Sequence, residues 1–206
     1  MNKTVKIYVG LLIVLFIGFA IIEFSKETPI DWSKTYRETD KIPYGTFVLY
    51  DQLPTIFPES DIEDIRVSPF EYFDEYFNWS DSTYSIFGSY LHIDEYAQID
   101  EVSAQELLDF ASHGNDVFIS TSYPPQRFYD SLHLDVRNRY DIKGSAEFGF
   151  TNPELKIDSI TIEKGLSNIY FSKLDSSITT VLGYQKFDSV KRINFVKIEH
   201  GYGNIY

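Results

Sequence analysis

The sequence predicts an α/β ectodomain behind an N-terminal transmembrane helix, with a β-rich C-terminal part. Three observations carry that expectation. An unbroken apolar run covers Ile7 to Ile22, a strand–helix–strand pattern lies between Tyr84 and Thr121, and beyond about residue 155 apolar residues recur every second position. The 206 residues are enough for one core, and 43% hydrophobic against 24% charged residues excludes a disordered chain. With 31 acidic and 18 basic side chains, the net charge of −13 argues against nucleic acid as a partner, because phosphate recognition needs clustered Lys and Arg. There is no cysteine, which removes disulfides, thiol nucleophiles, iron–sulfur centres, Cys-ligated zinc and a lipidated N-terminal cysteine.

The apolar run is 16 residues long, or 18 if Phe24 is included beyond Glu23. A bilayer needs roughly 17–25, so this is a short but workable span in which Ile7, Leu11, Leu15 and Ile22 anchor the chain in lipid and Lys6 snorkels. A cleaved signal peptide is the alternative. It needs small residues after the apolar core, and here the exit reads Phe19-Ala20-Ile21-Ile22-Glu23-Phe24-Ser25, bulky at most positions. Lys3 and Lys6 precede the span, so the positive-inside tendency puts residues 1–6 in the cytoplasm and the remainder outward; the expected location is the inner (cytoplasmic) membrane, with the ectodomain periplasmic or extracytoplasmic. The expected organisation is a tail at 1–6, a span at 7–24, a stalk at 25–43 and an ectodomain at 44–206.

Within the ectodomain, Thr46 precedes helically spaced Phe47, Tyr50 and Leu53, and Pro54 is expected to end or kink that helix. Ile62 to Val67 alternates like a half-buried strand, and Tyr84 to Leu91 reads as another. Ser103-Ala104-Gln105-Glu106 has the form of a capping box with Val102 and Leu107 as its staple. It predicts a helix over 104–113 that closes on His113-Gly114. Asp116 to Thr121 is a short buried-type strand, so 84–121 forms a βαβ unit with a parallel pair as the default. A second helix is expected after Pro124-Pro125, carrying Phe128, Tyr129 and Leu132. Strands follow at 157–162, 168–174, 178–184 and 193–199, then a hairpin turning on Gly201 and Gly203. Its return strand stops after three residues, which suggests a chain that continues in a longer parent.

The apolar span, Asp31-Trp32-Ser33, Lys41 to Tyr50, Phe87-Gly88-Ser89-Tyr90 and the closing Val196 to Tyr206 together resemble the bacterial family of domain of unknown function 4350 in its membrane-anchored, Bacteroidetes-type form. The resemblance covers most of 30–206. It implies a Rossmann-like or flavodoxin-like layered sheet with helices, akin to the class I glutamine amidotransferase superfamily, and a second membrane span downstream. It also implies an envelope complex, since members are often encoded beside a MoxR-type ATPase and other membrane proteins. No activity comes with the family.

Amidotransferase-like enzymes, by that resemblance, carry a cysteine on the turn after a strand; this chain has none, and G-x-S-x-G is absent too, Gly88-Ser89-Tyr90 being only a fragment. Ligands of open α/β sheets collect at the carboxyl ends of strands. That makes His92 and Asp94 after one strand, and Ser120, Thr121 and Ser122 after the next, the candidate ligand site. The same residue types also cap strand ends and satisfy loop amides. The four histidines are too dispersed for a metal-ligand spacing, although His92-Ile93-Asp94-Glu95 has donors suited to zinc or manganese, and the sequence implies no cofactor.

Charge is unevenly distributed. Residues 27–130 hold 21 acidic and 5 basic side chains, or −16, whereas 131–206 hold 9 and 10, or +1; within 59–109 Arg66 faces 14 carboxylates. Such a face serves solubility, a calcium ion or a basic partner, and no D-x-[DN]-x-[DN]-G loop is present. Aromatics crowd the same stretch, among them Phe70, Phe77, Trp79, Phe87 and Tyr90, as core packing, a protein-contact strip or a glycan platform would require. Asn78-Trp79-Ser80 fits the glycosylation pattern. The leading expectation is a non-catalytic, single-pass anchored interaction or scaffolding module whose partners are the lipid bilayer and other envelope proteins. A small-ligand or glycan binder, or a hydrolase built on the strand-end cluster, is the alternative.

Overall fold

The computed structural model describes residues 2–26, 28–140, 144–155 and 159–206. Helix α1 (Lys3–Phe24) has 22 residues. At 1.5 Å per residue it is about 33 Å long, enough for a hydrocarbon core of about 30 Å. None of its residues is buried and its surface is apolar all round, so it has no face to lay on a protein core. Residues 31–46 then loop back on themselves. The Tyr36 amide donates to the Tyr44 carbonyl at 2.9 Å and the Thr46 amide to the Arg37 carbonyl at 3.0 Å, while Lys34 ion-pairs with Glu95.

Helix α2 (Phe47–Ile56) runs through Pro54 instead of ending there. The proline sits in the last turn, where it forfeits only a bond to the carbonyl of solvent-exposed Tyr50. The expected strand at 62–67 pairs with no strand among the described residues, so its alternation reflects a chain crossing the surface, not a ladder. Helix α3 (Pro69–Asp74) was not foreseen, although Ser68 accepts the Glu71 amide at 3.2 Å and Pro69 fills the first turn. Strands β1 (Phe77–Asn78) and β2 (Thr83–Tyr84) form a small hairpin, which takes Tyr84 away from the strand predicted at 84–91.

The predicted parallel unit is present as β3 (Ser89–Ile93), α4 (Glu101–Ser112) and β4 (Asp116–Ser120). The cap lies three residues earlier than the sequence suggests. Asp100, not Ser103, is the N-cap: its Oδ1 accepts the amides of Val102 and Ser103 at 3.0 Å each, while its Oδ2 accepts the Ser103 hydroxyl at 2.7 Å. Glu106 does not reach back to the cap; it accepts the Tyr84 hydroxyl. At the other end His113 faces the carbonyls of Asp109 (2.7 Å) and Ser82 (2.9 Å), and Gly114 takes φ +97°.

Helix α5 (Gln126–Ser131) follows the two prolines as expected and buries Phe128. The sequence reading missed β5 (Asp135–Arg139) and β6 (Ala146–Phe150), whose charges and glycine obscure the alternation. Strand β7 (Ile160–Ile162) is the described end of the strand expected at 157–162, whose first two residues lie outside the described residues. Strands β8 (Asn168–Lys173), β9 (Thr179–Phe187), β10 (Val190–His200) and β11 (Gly203–Ile205) complete the chain. The β9–β10 turn uses Asp188 and Ser189, both at positive φ (45° and 68°), which suits the twist of a two-residue hairpin.

Seven strands form one mixed sheet in the order β3-β4-β11-β10-β9-β6-β7, while β5 and β8 pair separately. The β3–β4 and β4–β11 pairs are parallel and the other four antiparallel. Along one face, Tyr90, Val117, Ile119, Ile198 and Ile205 meet α4 through Leu107, Leu108, Phe110 and Ala111, and Phe110 stacks on Phe73 at 4.1 Å. Each fully buried leucine contributes about 1.5–3 kcal/mol. Gln185 links the two sheets, donating to the Asn168 side chain at 3.2 Å and the Ile169 carbonyl at 2.8 Å.

Asn115 ties the parallel unit together: its side chain donates to the Phe110 carbonyl at 3.0 Å and accepts the Gly88 amide at 2.9 Å, while its own carbonyl accepts the Asn204 amide at 3.2 Å. Asn115→Ala removes the acceptor of the Gly88 amide and one of the two donors to the Phe110 carbonyl, which keeps the His113 amide, and is expected to cost about 1 kcal/mol in chemical denaturation of the detergent-solubilised chain. Asp100→Ala is expected to lower the unfolding midpoint at pH 7. Bonding to Ser103 holds the Asp100 carboxyl below the usual range, so its stabilisation is present above the ordinary carboxylate value and fades as pH falls through the lowered one. The difference between Asp100→Ala and wild type should therefore shrink under strong acid, and an equal difference at every pH would refute the assigned cap.

Candidate functional site

The carboxyl ends of β3 and β4 lie side by side, because the strands are parallel with Ile93 opposite Ser120. The sequence-selected residues are thus near one another in the backbone, but alternation divides them. His92 stands opposite Ile119 on the helix-covered face, whereas Ser120 shares the other face with Leu91 and Ile93. A nucleophile–base pair needs hydroxyl and imidazole within hydrogen-bond reach. Here the Nε2 atom of His92 is buried and has no hydrogen-bond partner among the described residues.

The hydroxyl of Thr121 is fully employed in the loop. It accepts the amides of Ala97 (3.1 Å) and Tyr123 (3.2 Å) and donates to the Glu95 carbonyl at 3.1 Å. The Ser122 amide donates to the same carbonyl at 3.1 Å, Asp94 accepts the Glu95 amide at 2.6 Å, and the rings of Tyr96 and Tyr123 stack 4.9 Å apart. These bonds knit the two strand-end loops into one rigid rim. What the rim holds in common is backbone, and of the strand-end hydroxyls that of Thr121 already has its partners. Among the described residues no three His, Asp or Glu side chains come together as a metal site.

His92 lies against Tyr90, their rings 6.5 Å apart and nearly parallel. Burial pushes the imidazole below its ordinary value, with Asp94 opposing, and lifts the Tyr90 hydroxyl to about 12. His200 is likewise lowered by burial, opposed by Asp109. Of the aromatics in the acidic stretch, Phe73 and Tyr84 belong to the core, whereas Trp79 is 75% exposed at the tip of the β1–β2 hairpin, packed edge-on against Phe77 at 5.0 Å.

Sequence reasoning overlooked a cavity of about 780 Å³ beside the outer edge of β3, walled on its far side by α2 and residues 57–65. Residues 62–65, within the segment whose alternation suggests a half-buried strand, line this cavity beside Glu59 and Asp61. No family model, curated protein or solved structure matches the chain.

Thr121→Val removes an acceptor from two amides and is expected to cost about 1–3 kcal/mol, read as faster hydrogen exchange at Ala97 and Tyr123. For His92 and His200 the folded chain binds fewer protons than the unfolded one. Stability is therefore complete above the ordinary histidine value near 6.5 and declines as pH drops through the lowered folded values. His92→Leu should flatten that acid-side decline in a denaturation series, and an unchanged slope would contradict a buried neutral ring.

Proposed function

We propose that this chain is a non-catalytic, single-pass anchored interaction module of a bacterial envelope complex, with residues 1–6 in the cytoplasm and the ectodomain in the periplasm. The observation that carries the reading is α1, a 22-residue apolar helix with no buried residue, joined to a domain whose strand-end Thr121 hydroxyl and Asp94 carboxylate are taken up by their own loops. Kinship with the domain of unknown function 4350 family, and with it a Rossmann-like or flavodoxin-like ancestry and a MoxR-type neighbourhood, belongs to the same proposal. Its support is the parallel β3–α4–β4 unit.

The full chain is expected to stay in the membrane pellet through an alkaline carbonate wash at its uncleaved mass, and its ectodomain to be digested by protease added to spheroplasts. Replacing Leu11 and Leu15 by Arg, each worth about 2.5–3.5 kcal/mol against insertion, should release it from the pellet. A shortened, soluble product from the wild type would instead identify the helix as a cleaved signal peptide. Crosslinking in intact cells that yields no partner would count against the contact role.

One observation favours a second reading, a glycan-binding surface: Trp79 is exposed, as a sugar-stacking platform requires. Retention of the solubilised chain on envelope polysaccharide should then fall at least tenfold in Trp79→Ala, and retention that survives the substitution rules this reading out.

A further inference from the structure

We infer that the outer edge of β3, with the cavity beside it, docks an extended basic segment of a partner protein, which joins the sheet as an added strand. This rests on the contact-module reading and specifies where that contact is made. In a parallel pair, successive residues turn their backbone groups alternately toward and away from the neighbour. Gly88 and Asp94 bond to β4, the Asp116 amide donating to the Gly88 carbonyl and the Asp94 amide to the Ser120 carbonyl, each at 3.1 Å. Ser89, Leu91 and Ile93 therefore direct their N–H and C=O groups outward, and among the described residues none of these groups has a backbone or side-chain partner. Five residues give an edge about 17 Å long, a ready template for strand addition.

The edge is not open to bulk solvent on all sides, as a merely blunted edge would be. It borders the cavity of about 780 Å³, whose apolar wall comes from α2 and Phe57. That volume lies within the range of about 300–1,000 Å³ found for clefts that hold ligands. The same cavity is lined by Glu38, Glu59, Asp61, Glu63 and Asp64 and by no Lys or Arg. Arg66 offsets only Asp64 and Glu38 from outside, and Glu63 is engaged by the Tyr72 hydroxyl at 2.6 Å. Glu59 and Asp61 are exposed and make no ion pair among the described residues. An added strand places alternate side chains on opposite faces. The matching occupant is thus a peptide that alternates apolar residues, for the wall, with Lys or Arg, for the carboxylates.

The test uses the full chain in uncharged detergent and end-blocked, fluorophore-labelled heptapeptides. Lys-Val-Lys-Val-Lys-Val-Lys should bind by anisotropy, with affinity that falls as salt rises. The Glu-for-Lys peptide, and the Lys peptide with N-methylated valines, should each bind at least tenfold more weakly. Glu59→Lys together with Asp61→Lys, both exposed positions, should weaken the Lys peptide at least fivefold, and hydrogen exchange at Leu91 and Ile93 should slow when it is bound. Equal binding of the Lys and Glu peptides, or indifference to N-methylation, overturns the proposal. So do Leu91 and Ile93 amides already protected in the free chain, since residues 59–65 would then close the edge themselves. Photocrosslinkers at Asp61 and Tyr202 in cells separate the two levels. Products from Asp61 support the edge, products from Tyr202 alone overturn it while keeping the contact module, and products from neither overturn both.

Discussion

The fold turns on how closely the β10–β11 hairpin approaches the end of α4. A Cβ on Gly203 would lie 2.1 Å from the Asn115 carbonyl oxygen and 2.4 Å from that of Ala111, and one on Gly201 would lie 2.5 Å from that of Ser112. Only a bare backbone fits there. Because it fits, three residues of β11 slide between β4 and β10 and join a parallel βαβ unit to an antiparallel meander in one sheet. Asn115 sits at the junction with its side-chain oxygen, side-chain nitrogen and backbone carbonyl all bonded, which ties α4 and β11 to the start of β3.

That junction has a functional consequence, since it fixes β3 at the outside of the sheet. One end of β3 is tied into the Thr121 rim, one side is bonded to β4, and its remaining side borders an acidic cavity. The strand end where an α/β sheet usually meets its ligands is thus closed by its own loops, and the free hydrogen-bonding capacity lies along the edge. The unpaired edge among carboxylates is what the proposed strand docking uses.

Much of the local structure was legible. The apolar helix expected at 7–24, the helix at 104–113, the strand at 116–121 and the hairpin on Gly201 and Gly203 all carry strong local patterns, and the structure has an apolar helix at Lys3–Phe24, a helix at Glu101–Ser112, a strand at Asp116–Ser120 and that hairpin. The errors have local causes as well. Ser103 and Glu106 satisfy the capping pattern, but the helix begins earlier, where Asp100 accepts the Val102 and Ser103 amides, leaving Ser103 fully buried within the helix and Glu106 to Tyr84. Residues 62–67 alternate without a partner strand, because alternation reports which sides of a chain differ and not whether a ladder forms.

The candidate site was legible in composition and not in arrangement. From the chain alone one learns that there is no thiol, that carboxylates concentrate in 27–130 and that a continuous apolar run exists, since these are properties of residues in order. Whether His92 and Ser120 share a face, whether Thr121 has hydroxyl capacity to spare and which strand is left at the edge depend on pairs of residues far apart in sequence. Those were decided only by tertiary structure, through the parallel register of β3 and β4 and the insertion of β11, because hydrogen-bond satisfaction and steric approach act through space.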